Sequence, residues 1–186
     1  MEQEKVYLIQ DPGEDKIVLS LQQEEERGKI YFFLLALQQG LYHWQLALEH
    51  CAARTWGRIE VRALVAAKAK IKIQGRIKIF PTARGSDSFL NLKTIFIGPT
   101  AQNWLEPQLE IETYPVRAGH AATSSGFDLR ALTYLRARGI SPQQGQQLLL
   151  QGFFYDLLKT IKSPQLRSQT RQRLKDALLK VKLDEN

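Results

Sequence analysis

The chain has 186 residues, of which 44% are hydrophobic and 24% charged, and a net charge of +7. That length excludes two large domains and admits one ordinary domain or a β core with a helical appendage, while the composition excludes a disordered or fibrous chain. The single cysteine, Cys51, excludes an internal disulfide and a CxxC metal site and fits a reducing compartment.

The N-terminus, Met1 to Lys5, is acidic, unlike the basic start of a secretory signal, and polar residues interrupt every apolar run. No membrane targeting is expected, and the cytoplasm is the expected compartment. Apolar and polar residues then alternate over Lys16–Leu21, Lys29–Leu37 and Leu41–Leu48, with Asp11-Pro12-Gly13, the acidic stretch Glu24–Gly28 and Gly40 as breaks. This period of two predicts strands.

The alternation is clearest in Ala69–Ile79, where Ala69, Ile71, Ile73, Ile77 and Ile79 share one side and Lys70, Lys72, Gln74, Arg76 and Lys78 the other. Short strands are predicted at Gly57–Val65, Ala69–Gln74, Gly75–Phe80, Phe89–Ile97 and Leu105–Glu112, with Ala83, Gly98 and Ala101 near corners. Stacked rungs and a β-sandwich give the same alternation, so periodicity decides for β structure and not between the two. Val116–Thr123 is expected as a small-residue loop carrying His120.

After Gly126 the period becomes helical. Asp128 is the expected N-cap of Leu129–Arg138, with Gly139 at the stop. Ser141, Pro142 and Gln144 form a capping box for a second helix with Leu148, Leu149, Phe153, Leu157 and Ile161 as its apolar side. Ser163-Pro164 starts a third, basic helix with a narrow stripe of Leu166, Leu174, Leu178 and Val181. That stripe suits packing on the chain's own core or docking to another protein.

Enzymatic motifs are missing: there is no GxxxxGK[ST] phosphate loop, no GxSxG elbow and no HExxH helix. His43, His50 and His120 fall in no recognised metal-ligand spacing. His50 and Cys51 are neighbours, but on a strand they would face opposite sides, so Cys51 is expected as a packed small residue. Trp44, Trp56 and Trp104 lie within strand-like runs and are expected in core or interface. Residues 54–84 hold nine Lys/Arg and one acid, Glu60, which fits either a solvated sheet face or a surface for an anionic partner.

From Gly57 to about Phe154 the order of segments resembles the SufB/SufD family of iron–sulfur cluster assembly scaffolds. The matching segments are Gly75-Arg76-Ile77-Lys78-Ile79, Ile95-Phe96-Ile97-Gly98, Pro107-Gln108-Leu109-Glu110-Ile111, Val116 to Ser124, Ala131 to Ile140, and Gln151-Gly152-Phe153-Phe154. The resemblance implies a mainly β chain with C-terminal α structure: a short right-handed parallel β-helix core over 1–122, then a small helical domain over 123–186. It further implies that the helices bind SufC, the ABC-type ATPase of the SUF system, and that scaffolds pair through their β-helices as ATP-driven closure opens the interface where a nascent cluster is handled.

The resemblance makes the chain a non-enzymatic scaffold. His120 is the residue it offers for cofactor binding, and Arg138, Ile140, Phe153 and Phe154 are the candidates for partner binding, with one of the two phenylalanines expected to be buried. Leu92 and Ala121 stand where the SufB branch carries a cysteine and a glutamate, and Ala118-Gly119 replaces the Cys-Ser frequent in the SufD branch. The chain is therefore SufD-like. A lone imidazole is a poor anchor for clusters normally held by several thiolates, so none is expected to bind stably, and a transient cluster only within a complex.

Set beside typical family members, the resemblance leads one to expect a chain without their N-terminal helical region and several of their rungs. An exposed solenoid end would then be capped by Met1–Leu21, by a second copy, or by a SufB-like partner in a dimer. A second reading is a basic nucleic-acid-binding module using Arg58, Lys70, Lys72, Arg76 and Lys78 on one strand face; under the scaffold reading nucleic acid is not a partner. A polysaccharide-cleaving β-helix ranks third, for want of clustered acids.

Overall fold

A computed structural model describes residues 2–66, 68–98 and 100–181; residues 182–186, within the helical region expected over 123–186, lie outside the described residues. Among the described residues nine strands alternate between two parallel sheets. The first sheet holds β1 (Glu2–Ile9), β3 (Arg27–Ala36), β5 (Trp56–Val65), β7 (Asp87–Phe96) and β9 (Arg117–Ser125). The second holds β2 (Gly13–Leu21), β4 (Gly40–His50), β6 (Ala69–Ile79) and β8 (Gln102–Ile111). Each strand pairs in parallel with the strand two ahead, with an offset of about 30 residues through most of the chain, so the chain winds as a β-helix of about four turns.

Backbone bonds run from turn to turn through the corners as well as along the strands. The Trp56 amide donates to Glu26, Asp87 to Thr55 and Arg117 to Ser86, while Cys51 donates to Leu21, Phe80 to His50 and Glu112 to Ile79. The core between the sheets is the inward half of each alternation, including Ile30, Phe32 and Leu34 of β3 and Ile71, Ile73, Ile77 and Ile79 of β6.

Several sequence expectations need correction. Met1–Leu21 does not cap the solenoid: its described residues form β1 and β2, the first turn itself. Ala69–Phe80 is not two strands, because β6 passes unbroken through Gly75. A Cβ there would lie 2.7 Å from Leu90 Cδ1, so the missing side chain gives Leu90 its space. Val116–Thr123 is not a loop; residues 117–125 are β9, in register with β7.

The helices are α1 (Leu129–Ala137), α2 (Pro142–Leu158) and α3 (Pro164–Leu178). Asp128 accepts from the Arg130 and Ala131 amides, the Ser141–Gln144 capping box forms, and Ser163 accepts from Leu166 N. Gly139, at φ +80°, ends α1 in the left-handed conformation that glycine tolerates.

The outer face of the first sheet is a second core. Tyr31, Phe33, Leu35 and Leu64 meet Leu150, Phe154, Leu157 and Leu158 of α2 and Leu174, Ala177 and Leu178 of α3. The expected α2 face is therefore rotated: Leu150 and Phe154 are buried, whereas Leu148 is 47% exposed. The stripe of α3 is occupied by the chain's own β1 and α2, which corrects its reading as a stripe held out to another protein. Glu4 of β1 accepts from the backbone amides of Lys162 (3.0 Å) and Ser163 (2.9 Å), stapling the α3 N-terminus to the first strand.

Candidate partner-docking surfaces

The two sheets end at β8 and β9, and among the described residues no further strand pairs with either. An unpaired edge offers a row of backbone donors and acceptors to another chain. Leu105, Leu109, Val116 and Ala118 half-cover this end of the core. His120 is exposed on β9, in register with the buried Leu90 of β7, so it stands on the inward side of the last turn, over the end of the core. Asn103 Nδ2 donates to Thr94 Oγ1 at 2.7 Å and also to Ser124 Oγ, tying β8 to β9. Trp104, Ile111 and Tyr114 are exposed around the same end.

The three histidines are apart. His43 lies on the outer face of the second sheet between Glu14 (2.8 Å) and Gln74 (3.1 Å). His50 is fully buried at a corner, with Nδ1 2.7 Å from Thr55 Oγ1, which is 2.7 Å from Ser86 Oγ. Burial, with Arg58 nearby, drives its pKa down to about 4, so it is a neutral core residue. Cys51 follows it, half-buried, its thiol pKa pushed up by burial and by Glu49 and Glu26. Among the described residues no three His, Cys, Asp or Glu side chains gather as metal ligands.

The partner-binding candidates divide by depth. Phe154 is fully buried, 6.5 Å centroid to centroid from Phe33, and is unavailable to a partner in the folded chain. Phe153 is half-buried, edge-on to Phe154 at 5.1 Å, with the buried Arg62 guanidinium 5.6 Å from its ring centroid. Arg138 is exposed, stacked on Tyr134 at 5.1 Å, and Ile140 is half-buried in the α1–α2 link. Helix α1 buries none of its residues; Leu129 is 74% and Tyr134 59% exposed.

The cations of the nucleic-acid reading do not share a face. Lys70, Lys72, Arg76 and Lys78 lie outside the second sheet, whereas Arg58 lies outside the first, 2.7 Å from Asp87. Lys72 pairs with Glu106 at 3.3 Å, Arg76 with Glu49 and Glu110, and Lys78 with Glu110 and Glu112. The sequence hides this because the acids come from other turns, about 30 residues away along the chain. Nor are all the tryptophans core: Trp44 packs inward, but Trp56 sits outside among Arg27, Lys29 and Arg58, and Trp104 is exposed.

Residues 14–153 match the family described as the SUF system FeS cluster assembly SufBD core domain. The chain belongs to the SufBD family. It is 38% identical over 96 residues to a SufBD family iron–sulfur cluster assembly protein of Mycobacterium leprae, covering 51% of this chain and 24% of that protein. It is 28% identical over 135 residues to the iron–sulfur cluster assembly protein SufD of Escherichia coli, covering 68% of this chain and 32% of SufD. A SufBD family protein of Synechocystis is 25% identical over 158 residues, 83% of this chain and 34% of its own length. The chain thus spans about a quarter to a third of these relatives.

Within the SufBD framework, Leu92 is a buried core residue and Ala121 a half-buried residue on the outer side of β9. Neither supplies a ligand. Among the described residues no helix is long and apolar enough to cross a membrane. What the sequence missed is the exposed row of α2: eight large apolar or aromatic residues between Leu148 and Leu158 are too many for one buried stripe, and that excess was the available signal.

Proposed function

We propose that this chain is a SufD-like, non-catalytic scaffold component of an iron–sulfur cluster assembly complex in the cytoplasm. It docks a SufC-type ABC ATPase on α1 and α2, and pairs through β8 and β9 with a SufB-type scaffold or a second copy. A cluster passes only through such a complex, with His120 at the paired ends, because one imidazole is too few ligands to hold it.

The observation that carries this reading is α1. Its ends are capped, yet it buries none of its residues, and it leaves Leu129 and Tyr134 in solvent beside Arg138. A helix that contributes nothing to the core and displays apolar side chains is suited to covering by another protein. The open β8–β9 end supports scaffold pairing in the same way.

Size-exclusion chromatography with light scattering on the chain alone and mixed with a SufC-type ATPase tests the proposal. A stable complex with the ATPase is expected, and Arg138→Ala, Ile140→Ala and Phe153→Ala should each weaken it while circular dichroism stays unchanged. A folded chain that ignores the ATPase overturns the docking role.

A further inference from the structure

The end of β7, the link from Ser125 to Asp128 and one side of α2 enclose an open cleft of about 560 Å³. Ile95, Phe127, Leu148, Leu149 and Phe153 supply its apolar walls. Gly152 opens its floor, since a Cβ there would meet nothing within 4 Å. The two neighbouring helical rows of α2 thus have different fates: Leu150 and Phe154 complete the core, while Leu148 and Leu149 line a surface depression.

The helices that carry this cleft are basic, although the one charged residue of its lining is Asp128. Residues 126–158 contain Arg130, Arg136 and Arg138 against two acids, Asp128, whose carboxylate is committed to the Arg130 and Ala131 amides, and Asp156, which pairs with Lys159. Among the described residues none of the three guanidiniums has an acidic partner. The wider balance agrees: residues 1–125 carry fifteen Lys/Arg against fourteen Asp/Glu, and residues 126–181 ten against three. The solenoid is nearly neutral, with Arg54, Arg58, Lys72, Arg76 and Lys78 in cross-turn pairs, whereas the helices hold the surplus.

We infer that the cleft receives a large apolar side chain of the partner and that Arg130 and Arg136 bind carboxylates within a turn of that side chain, so the docking segment is an acidic one with an apolar anchor. This rests on the ATPase-docking reading and deepens it by naming the chemistry that α1 and α2 select. An apolar anchor in a desolvated pocket supplies affinity, and the flanking charges supply register and rate of encounter.

The test is titration calorimetry of the full chain with a purified SufC-type ATPase at low and moderate salt. Leu148→Asp, at a half-exposed site, and the double change Arg130→Glu with Arg136→Glu, on an exposed helix, should each raise the Kd about tenfold or more. The double change should also flatten the salt dependence. Arg167→Glu with Arg171→Glu, on the equally basic α3, should leave the Kd within about twofold, which separates a specific seat from general attraction. Wild-type binding that ignores both the cleft and the α1 changes overturns the inference and leaves the docking role standing. Failure of the wild-type chain to bind overturns both.

Discussion

At the corner between the sheets, single residues decide whether the turns stack. Gly28, Gly57, Ser88 and Ala118 form one inward column of small residues along successive turns. Gly28 is kept bare by Leu19 and Leu21 and Gly57 by Leu48 and His50, which reach across the corner; a Cβ on Gly57 would lie 3.0 Å from His50 Nε2 and closer still to Leu48. Gly57→Ala should therefore cost about 1–3 kcal/mol in a denaturant titration, through overpacking. His50 sets a pH dependence. Its folded pKa, about 4, is below the ordinary 6.5, so the unfolded chain binds the proton more readily. Its stabilising contribution is full above about pH 6.5, falls as pH drops toward 4, and changes no further below, a loss of about 3 kcal/mol. In His50→Gln this part of the stability-versus-pH curve should be flat.

Among the elements, β1 and α3 depend on one carboxylate. Burial works to raise the Glu4 pKa, but hydrogen bonds from the Lys162 and Ser163 amides and the Tyr31 hydroxyl outweigh it and hold the pKa below the ordinary value. Its contribution is present above the ordinary carboxylate range and lost as pH falls through the lowered pKa. Glu4→Gln should destabilise by about 1–2 kcal/mol in thermal unfolding, and α3 should loosen first. Phe154→Ala, beneath α2, should cost about 3–5 kcal/mol, whereas Leu148→Ala should cost under about 1 kcal/mol. The strands from β2 to β8 were legible because inward and outward residues alternate, except in β3, whose two-sided apolar run Ile30–Leu37 was legible from the breaks at Glu24–Gly28 and Gly40. Neither β1 nor β9 was: the run Val6-Tyr7-Leu8-Ile9 is apolar on both sides, with helices outside and core inside, and β9 is built of Ala, Gly, Ser and Thr at an open edge. Helix starts were legible from Asp128, Ser141 and Ser163 because a cap is a local interaction; which face of α2 is buried was not, because the contacting strands β3, β5 and β7 lie far away in sequence.

For the whole molecule, the β-helix alone was undecidable from periodicity and entered through family resemblance, since a solenoid and a sandwich bury the same alternating residues. The candidate site was legible only in part: His120 and Arg138 are accessible, Phe154 is not, and the cleft beside Phe153 exists only where β7 and α2 meet. A charge placed on the open edge, as in Ile111→Lys, should block the pairing proposed for this end, read by light scattering, without lowering the melting temperature, because Ile111 is the exposed last residue of β8.

The clamp made by α2 and α3 grips the first turns and leaves the last one bare. Leu8, Tyr31 and Phe33 lie under the helices, while among the described residues β9 has only β7 beside it in its sheet. Because each turn of a solenoid leans chiefly on its neighbours, such a chain has a pinned end and a fraying end. Amide hydrogen exchange should therefore show a gradient of protection along the axis, slowest in β3 and β5 and fastest in β8 and β9. The pairing proposed at that end should slow exchange in the last turn before it alters the rest, a local stiffening rather than a change of shape.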